Sequence, residues 1–411
     1  MSETYVIVGA ALAGAKAAET LREEGFDGRV VLLGAEDERP YERPPLSKDY
    51  LRGETDRQGP YVHPREFYEQ KDIELRTGLS VTALDLTARE VIIGQERLAF
   101  TRLLLATGAE PRRIPVPGAD LEGVHYLRTF RDSDDLRRAI AASSRVAVIG
   151  AGWIGAEVAA SARQKGLEVT LIEQLDVPLE RVLGREVGEV YGAIHRDQGV
   201  ELLTGTAVEA IEGAGRAERV RLEGGQTVDC DFVVVGIGVT PRMALAEAAG
   251  LEIGDGIHVD ERLKTSDDGV FAAGDVAGAW HPFFQQRLRV EHWHNALEQG
   301  PAAARSMLGT GEPYETIPYF FSDQYDVGME YSGFARSWDR VVFRGDPQGR
   351  EFVAFWLVED RVVAGMNVNV WDVNEAIQQL IRERVEVDDR HLADPDLPLE
   401  ELTALQRRAP G

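Results

Sequence analysis

Three glycines in one turn carry the plainest chemistry in this sequence. Gly150-Ala151-Gly152-Trp153-Ile154-Gly155 follows the apolar run Arg145–Ile149 and opens a small-residue segment that reaches Lys165. Gly150 permits a tight turn, Gly152 lets backbone approach a pyrophosphate, and Gly155 lets a helix lie close on a strand. The unpaired N–H groups at that helix start would face the phosphates. Glu173, at the end of the next apolar run, Glu168–Ile172, has the spacing of an acid that hydrogen-bonds a ribose 2′-hydroxyl. A carboxylate there repels a 2′-phosphate, so NAD is expected over NADP.

A second turn, Gly9-Ala10-Ala11-Leu12-Ala13-Gly14, repeats the pattern with Ala11 where the middle glycine belongs. One extra methyl crowds a pyrophosphate, so a dinucleotide must sit farther out or the backbone must shift. Glu36 is the candidate for the ribose contact here, with Asp37 one residue away. Farther on, Thr265–Asp275 ends an apolar strand in Gly274-Asp275, where a carboxylate can accept hydrogen bonds from polyol hydroxyls and glycine lets a chain pass close.

Two βαβ units must hold these turns. Tyr5–Val8, a helix over Ala13–Glu24 and Arg29–Leu33 form the first. Arg145–Ile149, Gly155–Lys165 and Glu168–Ile172 form the second. Strands alternating with helices imply a mostly parallel sheet covered on both faces. Leu103–Gly108 reads as a strand ending in a turn, and the proline-rich stretch Pro111–Pro117 as a crossover between domains. Phe232–Gly238, ending at Thr240-Pro241, closes the second unit. After Tyr319 the pattern changes to strands at Arg340–Arg344, Glu351–Val358 and Arg361–Val368 and a helix at Asp372–Arg384, a terminal α+β domain. The tail after Val385, rich in Asp, Glu and Pro, reads as a solvated terminus. The fold class expected is α/β, with two Rossmann-like dinucleotide-binding domains and a C-terminal α+β domain.

Composition excludes other classes. A formal net charge of -25 over 411 residues opposes a general surface for nucleic acid or anionic membranes. No run of ~18 apolar residues free of charge suggests a membrane helix. Met1–Thr4 has no basic segment, so Tyr5–Ala15 reads as a first strand rather than a signal peptide. The single cysteine, Cys230, cannot form an internal disulfide and reads as buried and structural, which fits a reducing cytoplasm. The 8 histidines show no ligand spacing with cysteine, and no metal is expected.

At Thr265–Asp275 the sequence resembles the two-dinucleotide-binding flavoprotein reductases, whose second FAD motif has this form. Within that superfamily, which is glutathione-reductase-like in architecture, it is most similar to the FAD-dependent, NAD(P)H-linked ferredoxin reductases that serve oxygenases and cytochromes P450, the putidaredoxin reductase-like group. The matching strings are Arg39–Leu51, Ala106–Pro111, Glu291–Gly300 and Ser322–Asp326. The resemblance implies that Asp275 binds the ribityl chain, Arg43 faces the FAD pyrophosphate, Lys48 lies beside the flavin near its reactive nitrogen and Trp293 borders the isoalloxazine. Glu157 would look toward the nicotinamide. A cation at Lys48 would stabilise the anionic reduced ring, whereas Glu157 alone can also be read as complementing a helix dipole. The cofactor-binding set is completed by Ala106, Thr107, Gly108, Arg128, Ile154, Gly238, Glu291 and His292. Phe321 stands where many relatives carry tryptophan, keeping the aromatic face and losing the indole N–H.

The expected layout is an FAD-binding domain at 1–112 and 241–321, an NAD-binding domain at 113–240 and the C-terminal domain at 322–411. The expected cofactors are FAD and NADH, with NADPH second, and the expected partner is a ferredoxin-type iron–sulfur protein. No nucleophile is required. Disulfide reductases of this architecture need a cysteine pair, which a chain with one cysteine lacks. Three alternatives share the binding motifs: a rubredoxin as acceptor, direct use of oxygen as an NADH oxidase, and an interaction protein switched by bound FAD and NAD, as in flavoproteins resembling apoptosis-inducing factor. An acidic carrier would need a local positive rim, for which Arg287, Arg289, Arg305, Arg336, Arg340 and Arg344 are the nearest candidates in sequence.

Overall fold

The β-branched runs form the centres of two parallel sheets, each followed by a glycine turn and a helix made mainly of small residues. The computed structural model describes residues 3–402, which divide into two compact units. The first comprises 3–44, 56–110 and 239–316, the second 45–55, 111–238 and 317–402.

In the first unit five parallel strands run in the order Val270–Ala272, Arg102–Leu105, Thr4–Val8, Arg29–Leu33 and Ile73–Arg76. Val6 and Ile7 at its centre, in register with Val31 and Leu32, are fully buried. A strand buried on both faces needs no polar alternation, which is why these segments read as continuous apolar runs. The helix Leu12–Glu23 buries Ala13, Ala15, Ala17 and Ala18, whose small side chains allow close packing on the sheet.

The second unit repeats this plan with strands in the order Glu201–Leu203, Glu168–Ile172, Arg145–Ile149, Phe232–Val235 and Val124–His125. Its other layer is an antiparallel sheet ordered Tyr319–Gln324, Val327–Gly333, Arg361–Val368, Glu351–Val358 and Arg340–Asp346. Phe352, Trp356 and Met366 from this sheet form one apolar cluster with Leu183, Val187, Tyr191 and Ile194 of the helix Glu180–Asp197. The indole of Trp356 satisfies its N–H on the Leu183 carbonyl at 3.1 Å.

Segment 45–55 belongs to this second unit because its backbone is held there. Ser133 Oγ donates to the Leu46 carbonyl at 2.9 Å, Ser161 Oγ to the Ser47 carbonyl at 2.6 Å, and Tyr50 Oη to Asp134 at 2.6 Å.

Two expectations change. The helices Glu180–Asp197 and Trp293–Leu308 escape a periodicity reading because breakers lie inside them: Gly184, with φ 78°, in the first and Pro301 in the second. The acidic tail, expected to be solvated, is packed through residue 402. Val387, Leu392, Leu399 and Leu402 are buried, and Arg344 donates to the carbonyls of Leu392, Pro395 and Leu397. Widely spaced leucines anchor a segment whose overall composition is polar. The part of the expected tail beyond residue 402 lies outside the described residues. Among the described residues no helix is long and apolar enough to cross a membrane.

Candidate functional site

In the second unit the glycines of the turn have separate causes. Gly150 has φ +97°, and a Cβ on it would fall 2.5 Å from the Gly236 carbonyl oxygen. One on Gly155 would fall 1.9 Å from the Gly150 oxygen. The fold itself demands both. Gly152 differs: its backbone is extended, at φ -75° and ψ -178°, and the nearest protein atom to a Cβ there would be 3.9 Å away. Among the described residues no neighbouring atom requires glycine at this position, so the open space beside it fits a ligand that comes close to the backbone.

That space belongs to a cavity of about 540 Å³ lined by Gly150, Gly152, Glu173, Arg181, Thr206 and Gly238. Glu173 accepts hydrogen bonds from Ala151 N at 2.7 Å and Leu175 N at 3.0 Å. Each carboxylate oxygen retains capacity for a hydroxyl donor. Gly238 has φ +100°, and its carbonyl accepts from Arg112 N at 2.9 Å. Ile154, on the first turn of the helix, is 43% exposed. Arg128 precedes the helix Phe130–Ala142, where its backbone N–H donates to the capping Asp132.

The same unit buries a charged pair. Lys48 Nζ lies 2.9 Å from Glu157 Oε2, and the two residues are 8% and 4% exposed. Ser47 Oγ donates to Glu157 Oε2 at 2.5 Å and Ser322 Oγ to Oε1 at 2.7 Å, so three donors compensate the buried carboxylate. A residue that only complemented a helix dipole would need none of them. The ammonium of Lys48 also lies 5.6 Å from the centre of the Phe321 ring. Burial pushes the neighbouring Asp323 carboxyl above its ordinary range; Glu157 and Asp49 add to this while Lys48 opposes it.

In the first unit Gly9 has φ +121°, and a Cβ there would overlap the Ala106 carbonyl, at 2.0 Å. Gly14 is bound as tightly, with the Gly9 oxygen 2.0 Å from its would-be Cβ. Ala11, in the middle position, has φ -104° and ψ -164°, a conformation open to any residue. Its methyl therefore costs no backbone strain and bears only on ligand approach. Glu36 accepts from Tyr41 Oη and from Arg43 Nη2 at 3.0 Å. Burial works against the Arg43 charge, but Tyr41, Glu36 and Asp275 hold it above its ordinary range. Thr107 Oγ1 donates to the Arg242 carbonyl at 2.8 Å, and Gly108 turns with φ +67°. Glu291 is ion-paired with Arg289, and His292 caps the helix that begins at Trp293.

Sequence reasoning missed several members. Ser47 and Ser322 lie inside the matching strings without standing out, because serine has no spacing of its own. Gln299, 3% exposed, accepts from Gly274 N at 2.9 Å and so fixes the turn that carries Asp275.

The pyridine nucleotide-disulphide oxidoreductase family matches residues 3–300, and the reductase C-terminal family matches 319–403. The chain belongs to the pyridine nucleotide-disulphide oxidoreductase family. Among its relatives in this family, a probable ferredoxin reductase of Castellaniella defragrans is 40% identical over 407 residues, covering 98% of this chain and 99% of that protein. The ferredoxin–NAD(+) reductase component of the anthranilate 1,2-dioxygenase system of Burkholderia cepacia is 38% identical over 405 residues, covering 97% and 98%. A solved covalent putidaredoxin reductase–putidaredoxin complex contains a chain with a TM-score of 0.95 and 36% identity, covering 99% of each. Within the family this chain has no cysteine pair to relay electrons. Cys230 is 2% exposed, and burial pushes its thiol up to about 12.

The arginines expected to form a positive rim are mostly taken up within their own units. Arg287 donates to the carbonyls of Val259 and Gly278. Arg289 pairs with Asp255 and Glu291, Arg305 with Glu24, and Arg340 with Asp360 and Asp389. Arg344 binds tail carbonyls, and Arg336 lies 5.6 Å from the centre of the Phe334 ring.

Proposed function

We propose that the protein is an FAD-dependent NADH:ferredoxin reductase that passes electrons from NADH through FAD to a ferredoxin-type iron–sulfur carrier supplying an oxygenase or a cytochrome P450. The observation that carries this reading is the glycine turn and Glu173 around a cavity of about 540 Å³, in the same unit as a buried Lys48–Glu157 pair. The domain assignment follows: FAD on 1–112 and 241–321, NADH on 113–240, and 322–411 as the terminal domain. A cytoplasmic site of action is part of the proposal.

The residues present fit both nucleotides. The helix start after Gly152 offers backbone N–H groups to a pyrophosphate beside an open glycine face. Glu173 accepts the adenosine ribose hydroxyl and disfavours a 2′-phosphate. In the first unit Ala11, Arg43 and Asp275 stand at the corresponding turn, where the guanidinium would neutralise phosphate and the carboxylate would accept polyol hydroxyls. Bound FAD supplies the exchange between a two-electron nicotinamide and a one-electron iron–sulfur centre. Lys48 places a cation where the reduced cofactor gains negative charge. Glu157 faces the oxidised, cationic nicotinamide and pairs with the ammonium of Lys48. Neither side chain forms a covalent bond in the reaction.

Purified protein loaded with FAD, titrated anaerobically with NADH and NADPH and then mixed with ferredoxins and rubredoxins, tests the reading. Bleaching of the yellow colour by NADH, and its return on addition of a ferredoxin, is expected. Protein that takes up no FAD and leaves NADH unoxidised overturns it, and return of colour with rubredoxin alone or with oxygen alone replaces the acceptor.

A further inference from the structure

Among the described residues two large apolar side chains are exposed. Ile154, at 43%, belongs to the glycine turn, whereas Trp371, at 55%, has no place in the site described above. The loop that carries Trp371 is tied down on both sides. Asn369 N donates to the Gly328 carbonyl at 3.0 Å, and Gly328 N donates to Asn369 Oδ1, also at 3.0 Å. Asn367, fully buried, donates through Nδ2 to the Val370 carbonyl at 2.7 Å and to Glu330 at 3.0 Å. Asn369 and Asp372 have φ 50° and 63°, a left-handed backbone that these two residue types tolerate better than most. The indole itself lies against Gly328, where a Cβ would fall 2.7 Å from a ring atom and 3.3 Å from Asp323 Oδ1. Trp371 is therefore held in solvent by a fixed loop and a glycine that makes room for its ring.

The sheet places this indole near the proposed chemistry. Gly328 pairs with Asp323 and Glu330 with Phe321 across the strands Tyr319–Gln324 and Val327–Gly333, so these four residues share one face. Phe321, two residues or ~7 Å along the strand from Asp323, is the ring whose centre lies 5.6 Å from the Lys48 ammonium. Trp371 thus stands on the face that borders the cation assigned to the flavin.

The charges beside it are of one sign. Glu330 is used internally, accepting from Tyr319 Oη at 2.7 Å as well as from Asn367. Asp323 and Asp372 are exposed and form no ion pair among the described residues. With most of the expected arginine rim taken up elsewhere, this face offers an aromatic ring flanked by carboxylates.

We propose that Trp371 is the anchor on which the iron–sulfur carrier docks, and that the carrier meets it with an apolar hollow bordered by Lys or Arg, set against Asp372 and Asp323. This rests on the ferredoxin-reducing function proposed above. Tryptophan is among the side chains that most often carry an interface's binding energy, and one already fixed in place loses little freedom when a partner covers it. Carboxylates buried in that contact are a cost unless a cation faces them, which sets the sign of the partner's patch. The polarity is the reverse of a positive rim receiving an acidic carrier.

Steady-state assays on FAD-loaded protein test the proposal, using the ferredoxin that reoxidises the parent's flavin in the titration above and, beside it, ferricyanide as a small acceptor. Trp371→Ala should raise KM for ferredoxin by about tenfold or more and Trp371→Phe by less. Melting temperature and the ferricyanide rate should stay at the parent's values in both, because the indole is largely in solvent. Asp372→Asn, which keeps a residue suited to φ 63°, should raise KM for ferredoxin by about threefold and flatten its rise with salt. A ferredoxin KM in Trp371→Ala that matches the parent's overturns the proposal, as does a loss of ferricyanide reduction equal to the loss with ferredoxin. An Asp372→Asn KM equal to or below the parent's overturns the assigned polarity. A parent protein that NADH bleaches but no ferredoxin reoxidises removes the functional reading itself, and the docking role with it.

Discussion

Lys48 and Glu157, distant in the chain, meet at 2.9 Å in a pocket that leaves them 8% and 4% exposed. Two serine hydroxyls complete the carboxylate's shell, whereas the ammonium's ion pair among the described residues is with Glu157. The two halves of the pair are therefore unequal. Glu157→Gln leaves a buried ammonium without its counter-charge and should cost about 3 kcal/mol, while Lys48→Met, which leaves both serine donors on Glu157, should cost less. Urea unfolding of both variants and of the double variant checks the order; the double variant should be closer to the parent than Glu157→Gln.

The glycine turns separate folding from binding. Gly150→Ala places a methyl 2.5 Å from a carbonyl oxygen at φ +97° and should destabilise by roughly 3 kcal/mol or prevent folding. Gly152→Ala has open space and an ordinary backbone, so its melting temperature should stay near the parent's while NADH binding weakens. Ala11→Gly is the mirror experiment in the first unit. Little change in folding and tighter retention of FAD are expected, as read by flavin fluorescence on dilution.

Glu173 holds the turn as well as facing the cavity. Glu173→Gln should weaken NADH, because one carboxylate acceptor becomes a donor opposite Ala151 N–H, a loss of roughly 1–3 kcal/mol. NADPH should be affected less, since the repulsion of a 2′-phosphate is also removed. The ratio of kcat/KM for the two nucleotides measures this, and a ratio unchanged from the parent would assign Glu173 to the turn alone.

His195 makes stability depend on pH. Burial pushes its imidazole down to about 4, against about 6.5 in the unfolded chain. The unfolded state then binds the extra proton first, so the contribution is fully present above pH ~6.5 and is lost as pH falls toward ~4, to a total of ~3 kcal/mol. Urea midpoints of the parent should fall over that window, and those of His195→Gln should fall less.

Arg340 is bound to Asp360 and Asp389, and Arg305 to Glu24. Charge reversal at Arg340 should loosen the tail around Asp389–Ala393 and raise its protease sensitivity, without a selective effect on carrier reduction. Equal dye reduction with a selective loss toward ferredoxin would restore Arg340 as a docking residue.

Much of this protein follows from local sequence. The central strands at Arg29–Leu33, Arg145–Ile149, Glu168–Ile172, Glu351–Val358 and Arg361–Val368 fall at the bounds their apolar runs imply, because a strand buried on both faces writes its burial directly into consecutive residues. The glycine turns and the acid at Glu173 are legible for a related reason: their spacing is set by the geometry of one βαβ unit.

Contacts between distant segments were not legible. That segment 45–55 joins the second unit depends on Ser133, Ser161 and Asp134, polar residues with no sequence period. That Ser47 and Ser322 bracket Glu157, and that His195 reaches Tyr325, depends on how distant segments pack. The same holds for most of the arginines, such as Arg287, Arg305, Arg340 and Arg344, whose side chains look available in a one-dimensional chain and prove to be claimed by carboxylates and carbonyls distant in sequence. The sequence by itself determined the elements and the turns, because hydrophobic period and backbone sterics act over a few residues. The tertiary structure decided which buried polar groups become partners, because a desolvated charge takes whatever donors the packing brings within reach.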